Sequence, residues 1–311
     1  MIQVHGISKQ FGNNLAVKDV TFCVKENQIL GLLGENGAGK TTLLNMISGY
    51  IEPDEGTVQI EGMDIQAQPY QAKRRLGYLP EEPPLYLEMT VEEYLSFCIE
   101  LKEVVRKDRK KHLKEILDIT NIADVYHRKI GNLSHGYKQR IGLAQALCGN
   151  PEVLLLDEPT NGLDPSQIVD FRKMIERLSK THTIILSSHV LSLVQSMCER
   201  ILILHKGKLV ADRNLANNAK GCFSLTLACS SKGILSGLRE LPSVERVSLH
   251  PAQGAKETHV TVETNATDRF PHELSSFVSG RQIAILELKR QQDTLEEIYM
   301  QALRASGGEA Q

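Results

Sequence analysis

No stretch of this 311-residue chain is apolar for long enough to cross a bilayer: Ile29 to Leu33 and Val153 to Leu156 fall far short of the ~20 residues a membrane helix needs. The start, Met1-Ile2-Gln3-Val4-His5, has no basic stretch leading into an apolar core, so no secretory signal is expected. Any action at a membrane is then expected to go through a partner. Net charge is lacking too. At −2 it provides no field for non-specific nucleic-acid binding, which rests on Lys and Arg neutralising phosphates, so any phosphate binding must be local. The six cysteines (23, 98, 148, 198, 222 and 229) form no CxxC pair and no Cys/His cluster at zinc-ligand spacing, which fits a reduced cytosolic setting. Internal repeats, low-complexity segments and long heptad runs are also missing.

What is present is an ordinary globular balance, 41% hydrophobic and 24% charged, over a length that suits two domains. From Ile2 to about Ala211 short β-rich runs alternate with helical patterns, the mark of an α/β domain. Val20, Phe22 and Val24 alternate as a half-buried strand should, and Ile29 to Leu33 reads as a fully buried one. About 90–147 lacks strand signals, and Leu113, Ile116 and Leu117 share a helical face, so a helical subdomain is expected there, inserted in a domain spanning 1–215. Its basic run Arg106 to His112 has no interleaved aromatics and reads as a solvated helix face. After the polar Asn214 to Lys220 a second domain is expected at 221–303. Strands at Phe223–Leu227, Val244–Leu249, Thr258–Val262 and Ile283–Leu288, with helices at Ile234–Leu241 and Leu274–Val278, make the βαββαβ order of a small α+β ferredoxin-like unit. A last helix from Thr294 to Leu303 and a frayed tail over 304–311 complete the expectation.

Gly34-Glu35-Asn36-Gly37-Ala38-Gly39-Lys40-Thr41-Thr42 is a P-loop pattern set between a buried strand and a helical run. Its glycines let successive N–H groups converge on phosphate oxygens, and the following helix adds its N-terminal positive end. Lys40 is expected at the β/γ-phosphates and Thr41 at Mg²⁺, so the loop should bind a nucleoside triphosphate. Later, Val153 to Leu156 runs into Asp157, suited to hold Mg²⁺, and Glu158, suited as general base to the attacking water.

Leu133-Ser134-His135-Gly136-Tyr137, just before that second strand, is similar to the LSGGQ signature of ATP-binding-cassette ATPases, and the chain resembles that family over residues 1 to about 215. The resemblance implies an α/β P-loop NTPase cassette that binds ATP with Mg²⁺ and forms a head-to-tail dimer, the signature of one subunit closing over the γ-phosphate on the other. Ser134 would donate its hydroxyl, Gly136 would let backbone approach, and a helix beginning near Tyr137 would aim its dipole at the anion. Asn161-Gly162-Leu163-Asp164 looks like the D-loop, and Ser187-Ser188-His189 like the switch loop, with His189 at the γ-phosphate. Phe11 stands where the family stacks an aromatic on adenine.

Two departures stand out. Glu81 replaces the family's glutamine after Gly77-Tyr78-Leu79-Pro80; a carboxylate still ligates Mg²⁺ but donates no amide hydrogen bond. His135 and Tyr137 replace glycine and glutamine in the signature, which leaves open a pH-sensitive closure or a tolerated surface histidine. The runs Leu76 to Glu82 and Met89 to Leu95, with Leu295-Glu296-Glu297-Ile298-Tyr299 near the end, resemble ATP-binding subunits of bacterial ABC-2 type exporters, which move drugs, lipids, polysaccharides or ions and include a gliding-motility subgroup.

The expected function is therefore ATP hydrolysis by a cassette dimer, peripheral on the cytoplasmic face of the plasma membrane. It would power export through a separate permease docked near Glu81 to Tyr86, with no nucleic-acid partner. Homodimer and heterodimer both stay open, as do a bracing and a ligand-sensing role for 221–303. The alternative from another class is a soluble non-transport ATPase of the same superfamily acting on a macromolecular partner.

Overall fold

The computed structural model describes residues 1–215, 221–229, 233–250, 257–291 and 295–307. Within them the chain divides into two compact units, Met1–Asn214 together with the residues from Tyr299 on, and Leu215–Ile298.

The first unit opens with an antiparallel pair, β1 (Ile2–Phe11) and β2 (Asn14–Val24). Their alternation is that of half-buried strands: Ile2, Val4, Val17, Val20 and Val24 are fully buried, with exposed or half-exposed residues between. β3 (Ile29–Leu33) is buried at all five positions. It runs into α1 (Lys40–Ile47), then β4 (Glu55–Ile60), β5 (Met63–Asp64), α2 (Pro69–Arg74) and β6 (Leu76–Leu79).

The helical segment follows: α3 (Val91–Leu101), α4 (Arg109–Thr120), two single 3₁₀ turns and α5 (His135–Leu147). α3 starts where a capping box permits, with Thr90 Oγ accepting from the Glu93 N–H and the Glu93 carboxylate accepting from the Thr90 N–H. The basic run Arg106 to His112, which leads into the first turn of α4, is mostly exposed, and Ile116 is the buried member of that helix's apolar face. Extended structure in this segment is confined, among the described residues, to one bridge between Thr90 and Lys129.

The chain then returns through β7 (Val153–Leu156), α6 (Pro165–Leu178), β8 (Thr183–Ser188), α7 (Leu191–Met197), β9 (Arg200–His205) and β10 (Lys208–Asn214). A six-stranded sheet, β10-β9-β3-β8-β7-β6, is parallel except at its β10 edge, and β2-β1-β4-β5 forms a second, antiparallel sheet. The central strands read as unbroken apolar runs because both faces are covered. One core joins Ile2 and Val4, Leu43 and Met46 of α1, and Leu30 and Leu32 of β3.

The second unit holds β11 (Gly221–Leu227), α8 (Ile234–Arg239), β12 (Val244–His250), β13 (Thr258–Thr264), α9 (Phe270–Ser279) and β14 (Ile285–Gln291), in antiparallel order β12-β13-β11-β14. Phe223, Leu225 and Leu227 face Leu238 and Leu274 in its core. Several boundaries differ from the sequence reading, α8 ending at Arg239 and α9 spanning Phe270–Ser279 among them. β14 starts at Ile285, not Ile283, because Gln282 turns the chain at φ +55° and Ile283 packs on the core instead. α10 (Leu295–Gly307) continues past 303, where a frayed tail was expected, since Gln301, Ala302, Leu303 and Arg304 are all good helix formers. The division between units falls inside α10, after Ile298 rather than after 303. Residues 216–220, most of the expected linker, and Thr294 and 308–311 lie outside the described residues.

Candidate functional site

The P-loop sits at the C-terminal end of β3, whose backbone pairs on both sides with β8 and β9 and so holds the loop's base still. Gly39 adopts φ +103°, and a Cβ there would lie 2.4 Å from the Ala16 carbonyl oxygen, so glycine alone fits. From Gly39 the chain enters α1, with the Leu43 N–H closing on the Gly39 carbonyl at 2.9 Å. Lys40 is buried against this loop: its Nζ donates to the Gly34 carbonyl at 2.8 Å and lies 3.2 Å from Glu158 Oε1. The contact with Glu158 is an ion pair without hydrogen-bond alignment, since that oxygen has no directed partner among the described residues.

β7 delivers the two carboxylates. Asp157, fully buried, accepts from Ser187 Oγ at 2.6 Å through Oδ1, while Oδ2 is buried with no partner among the described residues. Burial pushes its carboxyl pKa up, the Ser187 and Thr41 hydroxyls pull it back, and the Glu158 and Glu81 charges raise it further. Glu158 takes φ +44°, an unusual backbone for a residue with a side chain, and its N–H donates to Ser187 Oγ at 2.8 Å. Its other oxygen, Oε2, lies 2.9 Å from Nδ1 of His189, which follows β8 directly. The base candidate thus has a cation on one oxygen and an imidazole on the other, an arrangement suited to orienting a nucleophile's proton acceptor.

A cavity of 590 Å³ gathers most of the residues singled out in the sequence: Phe11, Asn36, Gly37, Gly39, Lys40, Thr41, Thr42, Glu81, Glu158 and His189. Phe11 is 48% exposed at its mouth, where a solvent-facing aromatic is free to stack on a base. Gly34 and Ala38 are buried beneath the loop, and Asp157 lies behind Thr41 rather than on the cavity wall. Ser134 and Gly136 do not line it either. Ser134 is exposed at the N-cap of α5, its hydroxyl making no capping bond, and Gly136 is buried, where a Cβ would come within 2.7 Å of the Gln167 side chain. α5 therefore begins at His135, two residues before the Tyr137 start read from the sequence, because Ser134 takes the extended cap conformation and its carbonyl accepts from Lys138. The departing residues are engaged as well: His135 Nε2 lies 3.0 Å from the Asn161 carbonyl, and Tyr137 donates to Asp124 at 2.5 Å.

The sequence did not single out the Leu15, Lys206 and Gly207 that also line the cavity. Leu15 stands at the start of β2 and Lys206 and Gly207 in the β9–β10 turn, and none carries a motif. Only the tertiary packing of these segments beside the P-loop places them there.

Comparison with known proteins adds the family. A model described as ABC transporter matches residues 17–161. The linearmycin resistance ATP-binding protein of Bacillus subtilis (strain 168) is 30% identical over 306 residues, 96% of this chain and 97% of that protein. The bacitracin transport ATP-binding protein of Bacillus licheniformis is 36% identical over 214 residues, 68% of this chain and 69% of its own. Among solved structures, an ATP-binding subunit of an ABC transporter is similar with a TM-score of 0.65 at 29% identity, over 70% of this chain and 91% of its own. A dimeric bacterial ABC transporter cassette gives 0.64 at 25% identity, over 69% and 99%. A glycine-cradled lysine beside a strained glutamate and its histidine, on an α/β cassette with a relative matching nearly end to end, leads to one conclusion: this chain belongs to the ATP-binding subunits of ABC transporters.

Proposed function

We propose that the chain binds ATP with its phosphates over Gly34–Thr42, hydrolyses it with Glu158 as general base, and powers export through a separate membrane-spanning partner. The observation that carries this reading is the placement of Glu158 in the cavity wall between Lys40 and His189. Lys40, now bonded to loop carbonyls, is within reach of β/γ-phosphate oxygens, and the glycine loop supplies N–H donors around them. Glu158 takes the proton of the attacking water, and His189 braces that carboxylate while facing the γ-phosphate. Phe11 is assigned to the adenine.

The donor set suits Mg²⁺. Asp157 Oδ2 is a buried oxygen with no partner among the described residues, the Thr41 hydroxyl is near enough to lower that carboxyl's pKa, and the Glu81 charge is felt there. Thr41, Asp157 and Glu81 would hold the ion, which when bound neutralises charge on the β- and γ-phosphates. No group of three or more His, Cys, Asp and Glu among the described residues could hold a metal alone, which fits an ion that keeps waters and substrate phosphates as ligands.

Ser134 and Gly136, away from their own chain's cavity, act on the nucleotide of a second cassette in a head-to-tail dimer, as a dimeric neighbour supports. No helix among the described residues is long and apolar enough to cross a membrane. The transport path is assigned to a separate chain. Its docking surface is assigned to the Glu81–Tyr86 loop at the cytoplasmic face. There Tyr86 is 52% exposed and meets Tyr94 edge-on and Phe97 at a tilt, beside a cavity of 680 Å³ that includes Tyr50, Tyr78 and Pro84. Relatives named for linearmycin resistance and bacitracin transport support a drug-like cargo. Residues 221–303 are assigned to an accessory domain that braces the dimer.

Glu158→Gln is expected to cut ATP hydrolysis by ~10² to 10⁴-fold while nucleotide binding stays intact. Steady-state phosphate release and fluorescent-nucleotide titration measure the two. Hydrolysis at the parent rate would remove Glu158 from the role.

A further inference from the structure

Glu81 lacks the amide that the family's residue offers at this place, and the structure contains an amide directly beside it. Asn161 Nδ2 donates to Glu81 Oε1 at 2.8 Å, and both side chains line the cavity that holds Lys40, Glu158 and His189. An ionised carboxylate only accepts, so the amide nitrogen is the atom of Asn161 that faces it. Glu81 also borders the neighbouring cavity with Thr41 and Asp157, the other two proposed metal ligands.

Each half of the pair is held by its backbone. The Asn161 N–H donates to the Glu158 carbonyl at 3.0 Å, and its own carbonyl lies 3.0 Å from His135 Nε2. The Glu81 carbonyl accepts from the buried Gln139 Nε2 at 3.0 Å. Asn161 thus carries its amide on a segment tied to the general base at one side and to the start of α5 at the other. The electrostatics call for such a donor: Asp157, Glu158 and Glu81 place three carboxylates near one another, and a hydrogen bond to one of them offsets their mutual repulsion.

We propose that Asn161 is the positioning residue of Glu81, supplying the N–H that a glutamate lacks, so that a Glu–Asn pair takes the place of one carboxamide side chain. The inference rests on the reading of Glu81 as a ligand of the metal.

The test uses the full chain, with Glu158→Gln as the non-hydrolysing parent and trinitrophenyl-ATP as the probe, titrated with Mg²⁺. Asn161→Ala should raise the Mg²⁺ concentration for half-maximal binding about tenfold, the lower end expected of a partner that orients a metal ligand. Asn161→Leu, which keeps the volume, should do the same. With Glu81→Gln already present, either Asn161 change should cost less than about twofold, because the new amide no longer needs the old one; that non-additivity is the signature of a coupled pair. In the hydrolysing chain, Asn161→Ala should lower kcat and leave KM for ATP within about twofold. Equal losses in both backgrounds, or an unchanged Mg²⁺ half-saturation in Asn161→Ala and Asn161→Leu, overturn the proposal. If Glu81→Ala, which removes the ligand oxygen altogether, leaves Mg²⁺ half-saturation unchanged, the metal role of Glu81 falls first, and the inference with it.

Discussion

Ser187 shows how much a single side chain decides here. Fully buried, its hydroxyl donates to Asp157 Oδ1 and accepts from the Glu158 N–H, so one oxygen ties the Asp157 carboxylate to the Glu158 backbone. Ser187→Ala leaves the Glu158 N–H without its partner and is expected to cost ~1–3 kcal/mol of stability, read from urea unfolding. It also removes one of the hydrogen bonds that hold the Asp157 pKa down, so Mg²⁺-dependent nucleotide binding should weaken in the same variant. Unchanged unfolding and unchanged Mg²⁺ dependence together would show that water replaces the hydroxyl without loss. In the sequence, Ser187 is visible only as a neighbour of His189 in a switch-like run. Nothing in that run says that its hydroxyl faces a carboxylate on the adjacent strand, because the pairing of β7 with β8 is what brings them together. The φ of +44° at Glu158 was equally hidden. Such a backbone costs of order 1–3 kcal/mol and persists where the surroundings hold it, here through Ser187, Lys40 and His189.

At the scale of elements, short-range chemistry sets several boundaries. Thr90 with Glu93, and Asp164 with Gln167 and Pro165, are short-range caps written in adjacent residues, and α3 and α6 begin where they stand. α5 was placed two residues late because its cap, Ser134, makes no side-chain capping bond and Gly136 in its first turn argues against a helix by propensity. Packing against Gln167 of α6 decides that turn instead. The contact of α4 with the end of α5 shows a further dependence. His112 of α4 accepts the Gly149 N–H at 3.0 Å through Nε2, and burial lowers its pKa. The folded chain therefore favours neutral imidazole, with a pKa below the ~6.5 of a free one. The stability this contributes is fully present above pH ~6.5 and is lost as the pH falls below it, because the unfolded chain takes up the proton first. Melting temperature is expected to fall between pH ~7 and ~5.5, and His112→Gln, which cannot titrate, should flatten part of that slope. Identical slopes in the two proteins would exclude His112 as a contributor.

For the whole molecule, the separation of Ser134 and Gly136 from the cavity of their own chain carries the main consequence. Glu158→Gln with Mg²⁺ and ATP should shift from monomer to dimer on size exclusion, and Ser134→Arg added to it should stay monomeric, since a guanidinium in that helix N-terminus displaces the phosphate contact. A monomer that still binds ATP would mean closure with a different cassette or only on the permease. The amino-acid sequence by itself determined the P-loop with its flanking strand and helix and the βαββαβ pattern, because each rests on neighbouring residues whose spacing encodes a turn, a strand period or a helix start, while the switch histidine was legible only through the resemblance to the cassette family. Tertiary structure alone decided that Asn161 donates to Glu81, that Ser187 joins Asp157 to Glu158, that Lys40 pairs with Glu158, and that Leu15 and Lys206 border the cavity. Those contacts link residues far apart in the chain, and their partners are chosen by the order of strands in the sheet, which no local pattern records.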